Sequence, residues 1–221
     1  MTLYIVATPI GNLEDITLRA VRILKEVDLI AAENVPQTKK LLTKYDIATP
    51  VVRFHQHSQA NELKRLIDKL EQGTTVAYVS DAGTPNVSDP GGQLVAAARA
   101  VGVTVIPIPG ASALTALLSA AGIQTDSFMF VGFLPKKKGR QSLFAEMANL
   151  DVPIVLFESP NRVEKTLQEI QTRVGERRVI IGRELTKLHE EILDLPVQEA
   201  IKHFSDKTPR GEFVIIIQPD L

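Results

Sequence analysis

Three glycine-bearing turns constrain the fold of this chain most. They read Thr8-Pro-Ile-Gly-Asn-Leu-Glu-Asp-Ile-Thr17, Ser80-Asp-Ala-Gly-Thr-Pro-Asn-Val-Ser-Asp-Pro-Gly-Gly92 and Pro107-Ile-Pro-Gly-Ala-Ser-Ala-Leu114. Each follows a short β-branched or aromatic run: Leu3 to Ala7, Val76 to Val79 and Val103 to Ile106. Such runs suit buried parallel strands. Gly and Pro at their carboxyl ends let the chain reverse sharply and bring bare backbone close to a ligand. Parallel α/β sheets bind ligands beyond the carboxyl ends of their strands. The pattern therefore predicts a small-molecule site built largely from main chain.

The rest of the chain alternates strand and helix signals. Leu18, Val21, Leu24 and Val27 recur three apart, so Thr17 to Val27 reads as an amphipathic helix with Asp15 or Thr17 as N-cap. Strands are predicted at 28–33, 50–54, 75–80 and 104–108, with helices at 37–45, 61–72 and 91–101 between them. This is a doubly wound α/β pattern. The helix predicted at 111–121 is almost wholly small and apolar, which suggests burial between two layers. Beyond Ser127 strands are predicted at 128–133, 153–157, 178–182, 191–195 and 212–218, and helices at 141–150, 161–174 and 197–204. Fewer helices separate these strands, so a mixed sheet is expected. The expectation is two α/β domains, 1–115 and 116–221, meeting near residues 110–124 without a long linker.

At 221 residues and a formal net charge of −1, the chain is no polycation, so any nucleic-acid binding needs a local basic patch. It has no cysteine, which excludes disulfides and thiolate metal sites and fits a reducing cytosol. The opening Met1-Thr-Leu-Tyr-Ile-Val lacks a basic segment, so no signal peptide is expected. No apolar run approaches the roughly 18 residues that span a bilayer. A cytoplasmic location without membrane contact follows as the expectation.

Six ordered motifs carry a resemblance to the tetrapyrrole-methylase-fold methyltransferases. They are Ala7 to Ala20, Val79 to Pro85 with Ser88-Asp-Pro-Gly91, Pro107 to Ala113, Glu158-Ser-Pro with Arg162, Arg183-Glu-Leu-Thr-Lys-Leu-His-Glu-Glu191, and Gly211-Glu-Phe-Val214. The first and fifth strings resemble the branch that methylates the ribose 2′-hydroxyl of a cytidine in the decoding region of small-subunit ribosomal RNA. The resemblance implies S-adenosylmethionine held in a cleft between two α/β domains, in a homodimer, with the small ribosomal subunit or its RNA as partner. Carried over by motif, cofactor contacts fall on Ile10, Gly83, Thr84, Val87, Ser112, Ala113, Phe157, Leu185 and Gly211. The chain departs from the family pattern at Asn34-Val35-Pro36, where Asp-Thr-Arg is usual. It also departs at Asn86, where a small residue is common, and at Asn161, where His is usual. Many members also carry a further helical segment after the last strand. Two other readings stay open: a methylase of a tetrapyrrole precursor, and a cofactor-binding protein without methyl transfer.

Methyl transfer to a ribose hydroxyl needs positioning and a proton acceptor or charge-stabilising neighbour, but no metal. Lys187 is the first candidate: a base if burial lowers its pKa, a stabiliser of phosphate or alkoxide if charged. Glu33 and Glu184 stand at strand ends, where chemistry is expected, and are candidates for orienting the substrate. Asp81 is expected to cap its own turn. Lys136, Lys137, Lys138 and Arg140 form the densest basic cluster, with Arg162, Lys39, Lys40 and Arg210 as extensions. These cations suit phosphate contact without base reading. His55 and His57 share one face of any strand, yet no third metal ligand is evident, so His55 is read as a loop contact to RNA.

Overall fold

The computed structural model describes residues 1–55, 60–89, 91–205 and 209–220. The chain divides into two compact units, Met1–Ser112 and Ala113–Leu221. Both are α/β.

The first unit holds strands β1 (Thr2–Val6), β2 (Leu29–Ala32), β3 (Val51–Arg53), β4 (Val76–Val79) and β5 (Thr104–Ile108). They pair in the order β3-β2-β4-β1-β5, every pair parallel. Helices α1 (Leu18–Glu26), α2 (Val35–Lys44), α3 (Ala60–Glu71) and α4 (Gly92–Ala100) connect them. Alternation along each strand explains the layering. Leu3, Ile5, Leu29, Ala31, Val76 and Tyr78 pack on one face with Leu66, Leu70, Leu94 and Ala98 from α3 and α4. Val6, Ile30, Ala32, Ala77 and Val79 pack on the other face with Ala20, Leu24 and Leu42 from α1 and α2. Strands covered on both sides need continuous apolar sequence, which is what they have. Thr17 caps α1 through a bond from Ala20 N to its Oγ1 at 3.0 Å. Of the two candidate caps, Thr17 is the one used.

The second unit begins with α5 (Ala113–Ala120). Its strands are β6 (Met129–Phe133), β7 (Ile154–Glu158), β8 (Arg178–Arg183), β9 (Glu191–Pro196) and β10 (Phe213–Ile217). The order is β6-β7-β10-β8-β9. Only β6–β7 is parallel; the other three pairs are antiparallel, so the sheet is mixed. Helices α6 (Arg140–Met147), α7 (Val163–Arg173) and α8 (Val197–Ser205) cover one face. There Phe144, Leu167, Ile170 and Phe204 meet Ile154, Leu156, Ile181 and Ile215. The expectation that the apolar helix at 111–121 is buried between two layers is corrected. Only Leu117 of α5 is buried, because one line of the helix suffices to seat it. Leu117 sits against Gly182 of β8, where an added Cβ would lie 2.9 Å from its Cδ1.

Among the described residues no helix is long and apolar enough to cross a membrane.

Candidate functional site

In the first unit the three glycine turns lie at the carboxyl ends of the neighbouring strands β4, β1 and β5, and they are tied to one another. Thr8 N donates to Gly83 O at 2.9 Å, and Gly83 N returns a bond of 2.9 Å to Thr8 O. Thr84 Oγ1 donates to Ala111 O at 3.1 Å, which joins the second turn to the third. A Cβ on Gly110 would stand 3.0 Å from Ala7 Cβ, so glycine lets the third turn lie against the end of the first strand without crowding. Gly83 has φ +74°, and Ile10 Cγ2 would be 3.3 Å from any Cβ placed there. Ile10, Gly83, Thr84, Val87 and Ser112, expected from sequence to meet a cofactor, thus belong to one linked set of turns; Ala113 opens α5 in the second unit.

The turn after β4 is held in an unusual shape. Asn86 and Ser88 adopt φ +73° and +68°, beside Gly83 and Gly91. Asparagine is among the few side chains that enter this region readily, which explains its presence where a small residue is common.

A group of acids stands beside these turns. Burial raises the Glu33 pKa above its ordinary range, and the charges of Asp81 and Asp89 raise it further; a bond from the Asp81 N–H opposes them. Glu33 Oε2 is buried and has no hydrogen-bond partner among the described residues. Burial likewise raises Asp89, against a bond from Ser80, and raises Asp81, against a bond from the Asn34 side chain. The phenol of buried Tyr78 is pushed up by the same burial and by the three carboxylates.

Asn34 also caps α2, accepting from Gln37 N at 3.3 Å. Asp in its place would cap equally well but would set a fourth charge against Asp81. The departure from the family pattern therefore keeps the cap and removes a repulsion. Pro36 falls in the first turn of α2, where its missing N–H costs nothing.

In the second unit β8 ends in a strained turn. Glu184 and Thr186 adopt φ +51° and +67°, on either side of buried Leu185. Left-handed non-glycine residues cost energy and are held only by their surroundings. Here the holders are explicit. Glu184 N donates to Glu212 O at 2.9 Å, and Glu212 N donates to Glu184 Oε1 at 3.0 Å. Lys187 Nζ donates to Glu184 Oε1 at 2.7 Å and to Glu212 Oε2 at 2.9 Å. Gly211 has φ +98°, and the Glu184 side chain fills the space a Cβ would need. Leu185 and Gly211, both expected as cofactor contacts, are thus parts of one locked turn.

The reading of Lys187 as a lowered-pKa base is corrected. Burial lowers its pKa, but bonds to Glu184 and Glu212 outweigh that, and the net direction is up. Lys187 is a held ammonium. For Glu184 burial raises the pKa, and Lys187 with the Glu212 N–H brings it below the ordinary value.

The basic turn divides into two kinds of residue. Lys136, Lys137 and Lys138 are exposed. Arg140 and Arg162, expected as RNA contacts, are instead committed to internal partners. Arg140 is 8% exposed, pairs with Glu169, and donates to Thr166 Oγ1 at 2.9 Å and Pro135 O at 3.1 Å. Arg162 donates to Leu134 O at 2.6 Å and pairs with buried Glu158 at 3.3 Å. A buried carboxylate needs such a partner. His55 is half-buried just after β3. His57 lies outside the described residues. Lys39, Lys40 and Arg210 are exposed. Among the described residues no cluster of three or more His, Cys, Asp or Glu suits a metal ion.

The fold is shared with methylases of known structure. The crystal structure of diphthine synthase matches with a TM-score of 0.79 at 15% identity, covering 99% of this chain and 90% of that one. A cobalt precorrin-4 methyltransferase matches with a TM-score of 0.72 at 17% identity, covering 98% and 94%.

A family model described as Tetrapyrrole (Corrin/Porphyrin) Methylases covers residues 2–201, and the chain belongs to that family. It is 50% identical over 218 residues to the ribosomal RNA small subunit methyltransferase I of Halalkalibacterium halodurans, covering 98% of this chain and 75% of the relative. It is 45% identical to the protein of the same name from Thermotoga maritima, covering 97% of each chain.

Proposed function

We propose that this chain is an S-adenosylmethionine-dependent 2′-O-ribose methyltransferase acting on a cytidine in the decoding region of small-subunit ribosomal RNA. The reading places it in the cytoplasm as a homodimer. The observation that carries the proposal is the near-full-length likeness to proteins named ribosomal RNA small subunit methyltransferase I.

The residues fit the cofactor. Gly83 and Gly110 leave main chain bare where a Cβ would crowd Ile10 or Ala7. Thr8 Oγ1, at the first turn, is buried without a partner among the described residues, so a polar group is available for a ligand. Ile10, Gly83, Thr84, Val87 and Ser112 of the first unit are the proposed contacts, with Ala113, Phe157, Leu185 and Gly211 from the second. When bound, S-adenosylmethionine supplies an electrophilic methyl group on a sulfonium sulfur.

The chain's own task is to hold the acceptor hydroxyl in line and to take its proton. Glu33 suits the second role. Its raised pKa makes it a stronger base than an ordinary carboxylate, and Oε2 has no other partner to give up among the described residues. Lys187 suits electrostatic support. Its ammonium gives two of its three N–H bonds to Glu184 and Glu212 and has the third to offer a developing alkoxide. Glu184 sets the position of that ammonium. Lys136 to Lys138 and His55 are the proposed RNA contacts.

The test is incubation of purified protein with methyl-labelled cofactor and small subunits from a strain lacking the modification. The expected result is label in RNA at one ribose that resists alkaline cleavage, because cleavage there requires a free 2′-hydroxyl. No label in that RNA, with label entering a tetrapyrrole precursor supplied in a parallel incubation, would overturn the proposal.

A further inference from the structure

The basic turn is fixed at its base, open at its tip, and flanked by an exposed aromatic ring. Strand β6 is the edge of its sheet. Its register shifts between Phe130 and Gly132, and Gly132 takes φ +61°. The extra residue changes which side chains share a face. Phe130 and Phe133, three apart, would point to opposite faces of a regular strand. Here both meet Phe157 edge-to-face, with ring centroids 5.0 Å and 5.6 Å away. Phe130 and Phe157 are half-buried, but Phe133 is 54% exposed. One ring is thus propped by another and left open to solvent.

The next two residues are anchored. Leu134 O accepts from Arg162 and Pro135 O accepts from Arg140. Thr166 links the two arginine pairs, accepting from Arg140 and donating to Glu158 Oε2 at 2.7 Å. The stem is therefore pinned to α7. Lys136, Lys137 and Lys138 follow at once, exposed and without an ion pair among the described residues. An open ring beside three adjacent free cations matches unpaired RNA in both respects: the ring offers stacking area and the cations meet phosphates. A protein partner would need the ring but not the run of like charge.

We propose that Phe133 is a stacking platform for an unpaired nucleobase of the RNA substrate, with Lys136 to Lys138 on the neighbouring phosphates. Arg140 and Arg162 act as positioning residues that hold the platform and the lysines in register. This rests on the RNA reading above and adds the substrate contact that reading lacks.

The experiment measures co-sedimentation of full-length protein with unmodified small ribosomal subunits, from 50 to 200 mM salt. Phe133→Ala is expected to weaken binding about 10- to 100-fold at every salt concentration, leaving the salt slope unchanged. Phe133→Trp should retain wild-type affinity. The triple change Lys136→Gln, Lys137→Gln, Lys138→Gln should instead lower the slope of log K against log salt by about 2. Thermal melting and cofactor titration of each variant establish that it is folded. Wild-type affinity in Phe133→Ala overturns the platform, as does a change in its oligomeric mass, which would make the ring a seat for a second copy. Wild-type methylation of the same subunits tests the parent reading separately. If methylation occurs and Phe133→Ala binds normally, only the platform falls. If the wild type neither binds nor methylates, both fall.

Discussion

Replacing Glu33 by Gln should raise stability while nearly abolishing methyl transfer. Glu33 carries a charge that its site does not favour. Burial opposes ionisation first, and the neighbouring Asp81 and Asp89 oppose it further. Its Oε2 is buried without a partner among the described residues. Gln keeps a polar atom there but removes the charge, and the partial exposure of Glu33 discounts the gain to about 1 kcal/mol. For a chain of this size that corresponds to a rise of about 2–4 °C in Tm. The sign depends on pH. A carboxyl whose folded pKa is raised stabilises the fold while protonated, and that stabilisation is lost as pH rises through the folded value. Gln mimics the protonated form at every pH. The stability gain should therefore grow as pH rises through the folded value and vanish in acid, where wild-type Glu33 is itself protonated. Loss of a positioned proton acceptor lowers the chemical step by about 10²–10⁴-fold. Melting curves from pH 4 to 8, with single-turnover methylation of small subunits at saturating cofactor, measure both. A variant less stable than wild type at pH 7.5, or one that keeps its rate, would refute the reasoning.

Three further outcomes are expected. Glu184→Gln should act in the opposite direction, costing about 1 kcal/mol near pH 7, because it removes a charge that pairs with Lys187. The net pKa of Glu184 lies below 4.5, so its contribution holds above that value and fades as pH falls through the depressed one; urea melts of the two proteins should converge in acid. Asn34→Asp should keep the α2 cap yet destabilise by about 1 kcal/mol at neutral pH, since a charge-assisted bond to Asp81 becomes a like-charge contact. That penalty should shrink in the same melts as pH falls and Asp81, whose pKa is raised, takes up its proton. Gly182→Ala should cost about 1–3 kcal/mol, because its Cβ would lie 2.9 Å from Leu117 and 3.0 Å from Leu185. Calorimetry should also register weaker cofactor binding, as Leu185 is displaced.

Much of this was legible in the sequence, and for local reasons. Glycine and proline punctuate the strand ends, so β5 occupies the expected 104–108, and the three turns lie where their motifs put them. Alternation and helical spacing are properties of neighbouring residues. What escaped depends on residues far apart in the chain. Arg140 looked like part of a phosphate-binding basic run because Glu169 stands 29 positions away. Lys187 looked like a base because its second partner, Glu212, is 25 positions on. The segment 111–121 has core-like composition, yet within α5 only Leu117 finds a partner surface that buries it. The register shift in β6 left one trace, Gly132, which a sequence alone does not distinguish from a glycine tolerated within a strand.

The reciprocal bonds between Thr8 and Gly83, with the Thr84 tie to Ala111, carry a consequence for affinity. The loops lose their freedom when the chain folds, so capture of a small molecule has little left to freeze. Transplanting any single loop into a relative should accordingly fail to transfer recognition. The three must move as a set, because each one's shape is written partly in the other two.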